Sequence, residues 1–140
     1  MASIRSDVRT YLQTLSSVTD LTGARVYPMG APNSATFPFV TVTRVSSNHY
    51  HHTTDATGLV RDRIQLNAFA STAISLNNVC EALRNAMDTY RGTMGTSTVR
   101  NCTLEDESDD STPPTDGSDE LVYSTRQDYF LWRTEAAPTA

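Results

Sequence analysis

Residues 104–120, LEDESDDSTPPTDGSDE, hold eight of the sixteen carboxylates of a 140-residue chain. From Glu105 to Glu120 there is no apolar residue that a core could use, so this segment must stay at the surface of whatever the remainder builds. The rest of the chain carries the other eight acids against eleven arginines, so the formal −5 divides into −8 on one segment and +3 on the body. Two adjacent prolines and Gly117 interrupt the segment, and strand-like runs flank it. That combination predicts a projecting interaction loop and not an active site.

A chain of this length fits one domain and can bury about two-thirds of the surface that its unfolded form exposes, without a disulfide or a metal. The expected division is a single domain over 1–134 and a flexible tail over 135–140. No apolar run approaches the roughly 18 residues of a membrane helix. Arg5, Asp7 and Arg9 break any signal-peptide core, which predicts synthesis in a cytoplasm. Cys80 and Cys102 are too few and too far apart for a disulfide framework or a zinc pattern, and both read as buried free thiols. Asn101-Cys102-Thr103 matches a glycosylation sequon only by chance in such a setting. All eleven basic residues are Arg, and no function follows from that.

Ile4, Val8, Tyr11, Leu12 and Leu15 recur at helical spacing after a candidate cap at Ser3, with Ser16-Ser17 loosening the end. A second helix opens at Ser71 or Thr72, lines Val79, Leu83, Ala86, Met87 and Tyr90 along one face, and stops at Gly92. Between them, 28–38 is rich in proline, and 39–45 begins a β-rich run. Over 59–70, Ile64, Leu66 and Ala68 alternate with Arg61, Arg63, Gln65 and Asn67, which predicts a strand with one packed and one polar face. Residues 46–58 read as the loop between these two strands. Residues 97–104 read as a strand leading into the acidic loop, and 121–133 as the strand returning from it. A structureless connection of about fourteen residues is long for a compact domain and points to a functional segment.

The predicted fold is α+β in the order α-β-β-α-β-β, with a short additional strand at Arg25-Val26-Tyr27. Two helices pack on one face of a mostly antiparallel, four- to five-stranded sheet, and the long acidic loop joins its last two strands. On the second sheet face, Tyr123, Phe69 and Leu131 or Trp132 leave apolar area that another copy of the chain would cover.

Candidate chemistry is sparse. His49, His51 and His52 lie near Asp55, as metal ligands can, but no His pair at helical spacing and no Cys pair reinforces them. The acidic segment lacks the spacing of a calcium-binding EF-hand loop, and no apolar surroundings would raise the pKa of one of its carboxylates for acid–base catalysis. Nucleophile elbow, phosphate loop, dinucleotide fingerprint and zinc-protease motif are all missing. Neither an enzyme nor a cofactor or metal is expected. Arg61 and Arg63 form a weak phosphate-contacting strip, but an acidic chain with no lysine is a poor candidate for nucleic-acid recognition, so a solvated or subunit-facing surface is the better reading.

One ordered series of segments is more specific. It runs Gly23-Ala24-Arg25-Val26-Tyr27-Pro28, Ala31-Pro32, Phe37-Pro38-Phe39-Val40, Asp62-Arg63-Ile64-Gln65-Leu66, Tyr90-Arg91-Gly92, Glu107-Ser108-Asp109-Asp110, Pro114-Thr115-Asp116-Gly117-Ser118-Asp119 and Asp128-Tyr129-Phe130-Leu131-Trp132. It resembles the tail-completion, or tail-to-head joining (tail terminator), family of long-tailed bacteriophages and related gene-transfer particles, over nearly the whole chain.

The resemblance implies a structural virion protein at the tail-neck junction that assembles as a ring, a homo-hexamer, on the last ring of the tail tube. Its implied partners are further copies of itself, the tail tube protein and the head-tail connector or stopper protein, with DNA passing through the channel without sequence-specific binding. No catalytic residues carry over. Glu105, Asp106, Glu107, Asp109, Asp110, Asp116 and Asp119, with Arg61 and Arg63, are the candidate ring or partner interface. The acids either attract the basic body of a neighbouring copy or line the channel and repel DNA phosphates. The competing readings are a small metal-dependent enzyme using the 49–52 loop and a generic protein-interaction adaptor.

Overall fold

The computed structural model describes residues 4–30, 36–51, 56–112 and 122–134. In chain order these form α1 (Ile4–Gln13), α2 (Ser16–Thr22), β1 (Val26–Pro28), β2 (Phe39–His51), β3 (Ala56–Ala70), α3 (Ala73–Met87), β4 (Gly92–Met94), β5 (Ser97–Thr112) and β6 (Val122–Thr134). The strands make one six-stranded sheet in the order β1-β2-β3-β6-β5-β4. β1 runs parallel to β2, and every other neighbouring pair is antiparallel.

This overturns the expected fold class: among the described residues there are three helices and six strands, and the sheet is mixed. Ser16-Ser17 does not loosen a helix end but opens a second helix, because Leu15 in an extended conformation ends the first and Val18 and Thr22 have a core to enter. The short run at Val26 pairs Val26 with Val40 in parallel, an edge strand tied by the Val40 N–H donating to the Arg25 carbonyl at 3.0 Å. α3 ends at Met87 and not near Gly92; Asp88 is extended, and Tyr90 leaves the helix to pack its ring on Tyr11, centroids 4.5 Å apart. Thr72 caps the start of α3 by accepting from the Ser75 N–H at 3.1 Å.

The two predicted long loops are the largest correction. β2 continues to His51 and β3 starts at Ala56, so most of 46–58 is an antiparallel ladder, accommodated by irregularities in register beside Val45 and Tyr50. Likewise β5 runs through Leu104 to Thr112, pairing Asp109 with Thr125 and Thr112 with Val122. Nine residues of the acidic segment, 104–112, are therefore strand. A ladder tolerates this charge because successive side chains alternate between the two faces, while β6 satisfies the backbone. Residues 113–120, with Asp116 and Asp119, lie outside the described residues, as do 135–140.

One sheet face is covered by the helices. Val40 and Val42 of β2, Ile64, Leu66 and Ala68 of β3, and Tyr129 and Leu131 of β6 meet Ile4, Val8 and Leu12 of α1 and Leu76, Val79 and Leu83 of α3. Tyr123 and Leu131 belong to this side, whereas Phe69 and Trp132 are on the other. α1 also reaches β4: its buried Asp7 accepts from the Thr96 N–H and hydroxyl, both at 3.1 Å, and from the Ser97 hydroxyl. The carboxylate thus fixes the β4–β5 turn.

Candidate functional site

The second sheet face is where polar chemistry and exposed rings meet. Register places Asn48, Arg61, Trp132 and Asn101 in one row across β2, β3, β6 and β5, with Arg63, Phe130 and Thr103 in the next. The Arg61 guanidinium carbon lies 4.6 Å from the Phe130 ring centroid and 5.8 Å from that of Trp132. Tyr50, 39% exposed, stacks on Trp132 at 5.5 Å. At the other end of β2 and β3, Phe39 stacks on Phe69 at 4.9 Å and on Phe37 at 5.4 Å, and Tyr27 meets its edge at 6.0 Å.

A polar strip separates these clusters. Arg63 pairs with Asp128 at 2.9 Å, Gln65 donates to the other Asp128 oxygen at 3.2 Å, and Asn67 donates to Gln65 at 3.3 Å. Arg63 is thus committed within its own chain. Arg61 is not: its Nε is buried and has no hydrogen-bond partner among the described residues.

The acidic positions divide by face. Glu107 and Asp109 point to the helix side. Glu107 accepts from Gln127 Nε2 at 2.6 Å, the same nitrogen that reaches the Cys80 carbonyl at 3.1 Å, and Asp109 accepts from the Thr125 hydroxyl at 2.6 Å. With Asn77, Glu81 and Arg84 of α3 they line an open polar cleft. Asp106 and Asp110 lie on the uncovered face, opposite Asp128 and Ser124, and among the described residues each accepts only from the backbone N–H that follows it, at 3.0 and 2.8 Å. Glu105 is exposed and accepts from the Thr103 hydroxyl at 2.8 Å.

His49 is an exposed residue of β2, opposite Val60. His52 and Asp55 lie outside the described residues, and among those described no three His, Cys, Asp or Glu side chains are grouped to hold a metal. Both cysteines are free thiols, Cys102 buried and Cys80 half-buried. Burial, aided by the nearby Asp88 charge, pushes the Cys102 thiol up to about 12, and burial raises Cys80 as well. Neither is an activated nucleophile.

Sequence reasoning singled out Arg61 and Arg63 but missed the Arg61, Phe130, Trp132 and Tyr50 cluster. Phe130 and Trp132 do share one parity of β6, but which β3 residues they oppose depends on register, which no residue in either strand announces. It also missed the ion pair on the covered face between Asp62 and Arg133, 2.5 Å apart, where the Ser47 hydroxyl also donates to Asp62.

Residues 6–125 match the family described as tail completion protein gp17. Among solved structures, a chain from the "Virion of native gene transfer agent (GTA) particle" is similar, with a TM-score of 0.74 over 96% of this chain and 96% of that one. Identity there is 11%, so the likeness is one of fold. No curated protein matches the sequence.

Proposed function

The chain belongs to the tail completion protein gp17 family, and from that membership we propose that it is a structural virion protein that closes into a hexameric ring on the last ring of a phage-like tail tube. There it stops tube growth and presents the surface that joins the head-tail connector or stopper protein. DNA passes through the ring without sequence-specific contact. The family match across residues 6–125 carries this reading.

The uncovered sheet face supports it physically. A face that exposes Tyr50 and Phe37 and holds two ring clusters is more apolar than solvent alone would favour, and a neighbouring copy covers such a face without a second gene product. Arg61, Arg63 and the acidic residues Glu105, Asp106, Asp110, Asp116 and Asp119 are the proposed contact positions. Glu107 and Asp109, engaged with Gln127 and Thr125, shape the hairpin that presents them.

Particles assembled without this chain test the reading. Electron micrographs should contain separate heads and tails of uneven length, and purified protein added back should form rings on tube ends and restore joining. Normally joined particles of uniform tail length in its absence would overturn it.

A further inference from the structure

The Arg61 guanidinium is a prepared binding site for a carboxylate that none of the described residues of its own chain fills. Two rings hold it in place, and its Nε is buried without a partner among the described residues. Asp128, the nearby carboxylate on this face of β6, is already taken by Arg63 and Gln65. A planar guanidinium stacked on aromatic rings loses little freedom on binding and suits a carboxylate that meets it edge-on.

The same face carries the complementary charge at its far end. Asp110 is exposed there and Asp106 lies midway, opposite Asp128, and among the described residues each accepts only from the next backbone N–H. Arg126, opposite Ser108, offsets part of their charge, but Asp106 and Asp110 on this face outnumber it. Arg61 is opposite Trp132 and Asp110 is opposite Ser124, eight residues apart on β6. At about 3.3 Å per residue the two rows are roughly 26 Å apart, so the charges cannot meet within one copy.

The geometry points to a head-to-tail contact in which Asp110 of one copy docks on the Arg61, Phe130 and Trp132 cradle of the next. Each copy carries both patches: offered to two different neighbours they make the heterologous arrangement that a closed ring requires, whereas two copies exchanging both contacts about a two-fold would stop at a dimer. The charges set orientation and register, and the rings supply the buried area. This contact deepens the proposed function by naming the surfaces through which copies meet.

Charge-swap variants of the full chain test it, read by native mass spectrometry over a concentration series, alone and with isolated tail tubes. Arg61→Glu and Asp110→Arg should each raise the half-assembly concentration roughly tenfold or more. The two single variants mixed should assemble again with the two alternating, because each then meets its neighbours through one Arg61–Asp110 contact and one swapped contact of the same kind. The double variant R61E/D110R should recover assembly. Arg61→Gln, which retains most of the packing without the charge, stands in should Arg61→Glu fail to fold. The inference is overturned by a folded Arg61 variant that assembles like the parent, by a folded double variant that does not recover, or by a parent that stays monomeric or stops at a dimer throughout. Duplex DNA that binds the parent and is released by Arg61→Glu, with self-association unchanged, overturns it in favour of a nucleic-acid site. Failure of the joining assay with intact charge-swap behaviour overturns the proposed function and leaves this contact standing.

Discussion

Arg133 donates from Nε to the Asp62 carboxylate across 2.5 Å on the helix-covered face, joining the centre of β3 to the end of β6. Asp62 is fully buried and the Arg133 side chain is 8% exposed, so removing one partner leaves a charge in a poorly hydrated site. Asp62→Ala should therefore cost about 3–5 kcal/mol in chemical denaturation, and replacing both residues by well-packed apolar ones of similar volume should cost far less. Equal losses for the single and double variants would show that packing, and not uncompensated charge, dominates at this pair.

Gly95 sits at φ +55, and a Cβ there would run into the Asp7 carboxylate that fixes the Thr96 turn. Gly95→Ala thus combines left-handed backbone strain with displacement of a buried carboxylate, and it should lower stability by about 2–4 kcal/mol. Asp7→Asn keeps the shape and some of the hydrogen bonds, so its loss should be smaller. Thermal melts that rank Asp7→Asn below Gly95→Ala would contradict this order.

Alkaline pH should unfold the protein through groups that the fold keeps neutral. Burial pushes the Cys102 thiol from 9.0 to about 12, and burial together with Tyr90 pushes Tyr11 from 10.0 to about 12. A folded pKa above the unfolded value means that the neutral forms stabilise fully below pH 9 and lose that contribution as pH climbs toward 12. Melting temperature should be flat up to about pH 8 and fall beyond pH 9, less steeply in Cys102→Ala relative to its own neutral-pH value. Alkylation of native protein at pH 8 should spare Cys102; rapid labelling there would show that the thiol is accessible.

Residue alternation made the faces of β3 legible, since Ile64, Leu66 and Ala68 all enter the core while Arg61 and Arg63 face away. Strand length was not legible in the same way. Local propensity disfavours Asp, Asn and Ser in strands, so 46–51 and 105–112 read as loops, but pairing with β3 and β6 supplies what propensity lacks. Parallel pairing of β1 is a long-range choice with no local signature, and α2 forms because Val18 reaches a core that the first helix alone does not define. The candidate surface was half-readable for the same reason. Arg61 stood out by composition, whereas its partners Phe130, Trp132 and Tyr50 come from strands whose register only the fold sets.

That division of the acidic strand by face gives the sharpest contrast between scaffold and docking. Gln127 is 1% exposed and spans Glu107 and the Cys80 carbonyl, while its own carbonyl oxygen accepts from the buried Tyr129 hydroxyl at 2.8 Å. Glu107→Ala takes an acceptor from this chain and opens the α3 contact, so it should cost about 1–3 kcal/mol of stability. Asp110 is exposed and, among the described residues, holds only a neighbouring N–H, so Asp110→Ala should stay within about 0.5 kcal/mol of the parent. Joining activity should show the reverse order once stability is restored by low temperature, with Asp110→Ala weaker and Glu107→Ala near normal. Raising salt should weaken the parent interaction as well, since exposed charges are screened beyond about 10 Å at 0.1 M. If instead Asp110→Ala destabilises as much as Glu107→Ala, the outer carboxylates brace the hairpin, and the assignment of the two strand faces to separate tasks fails.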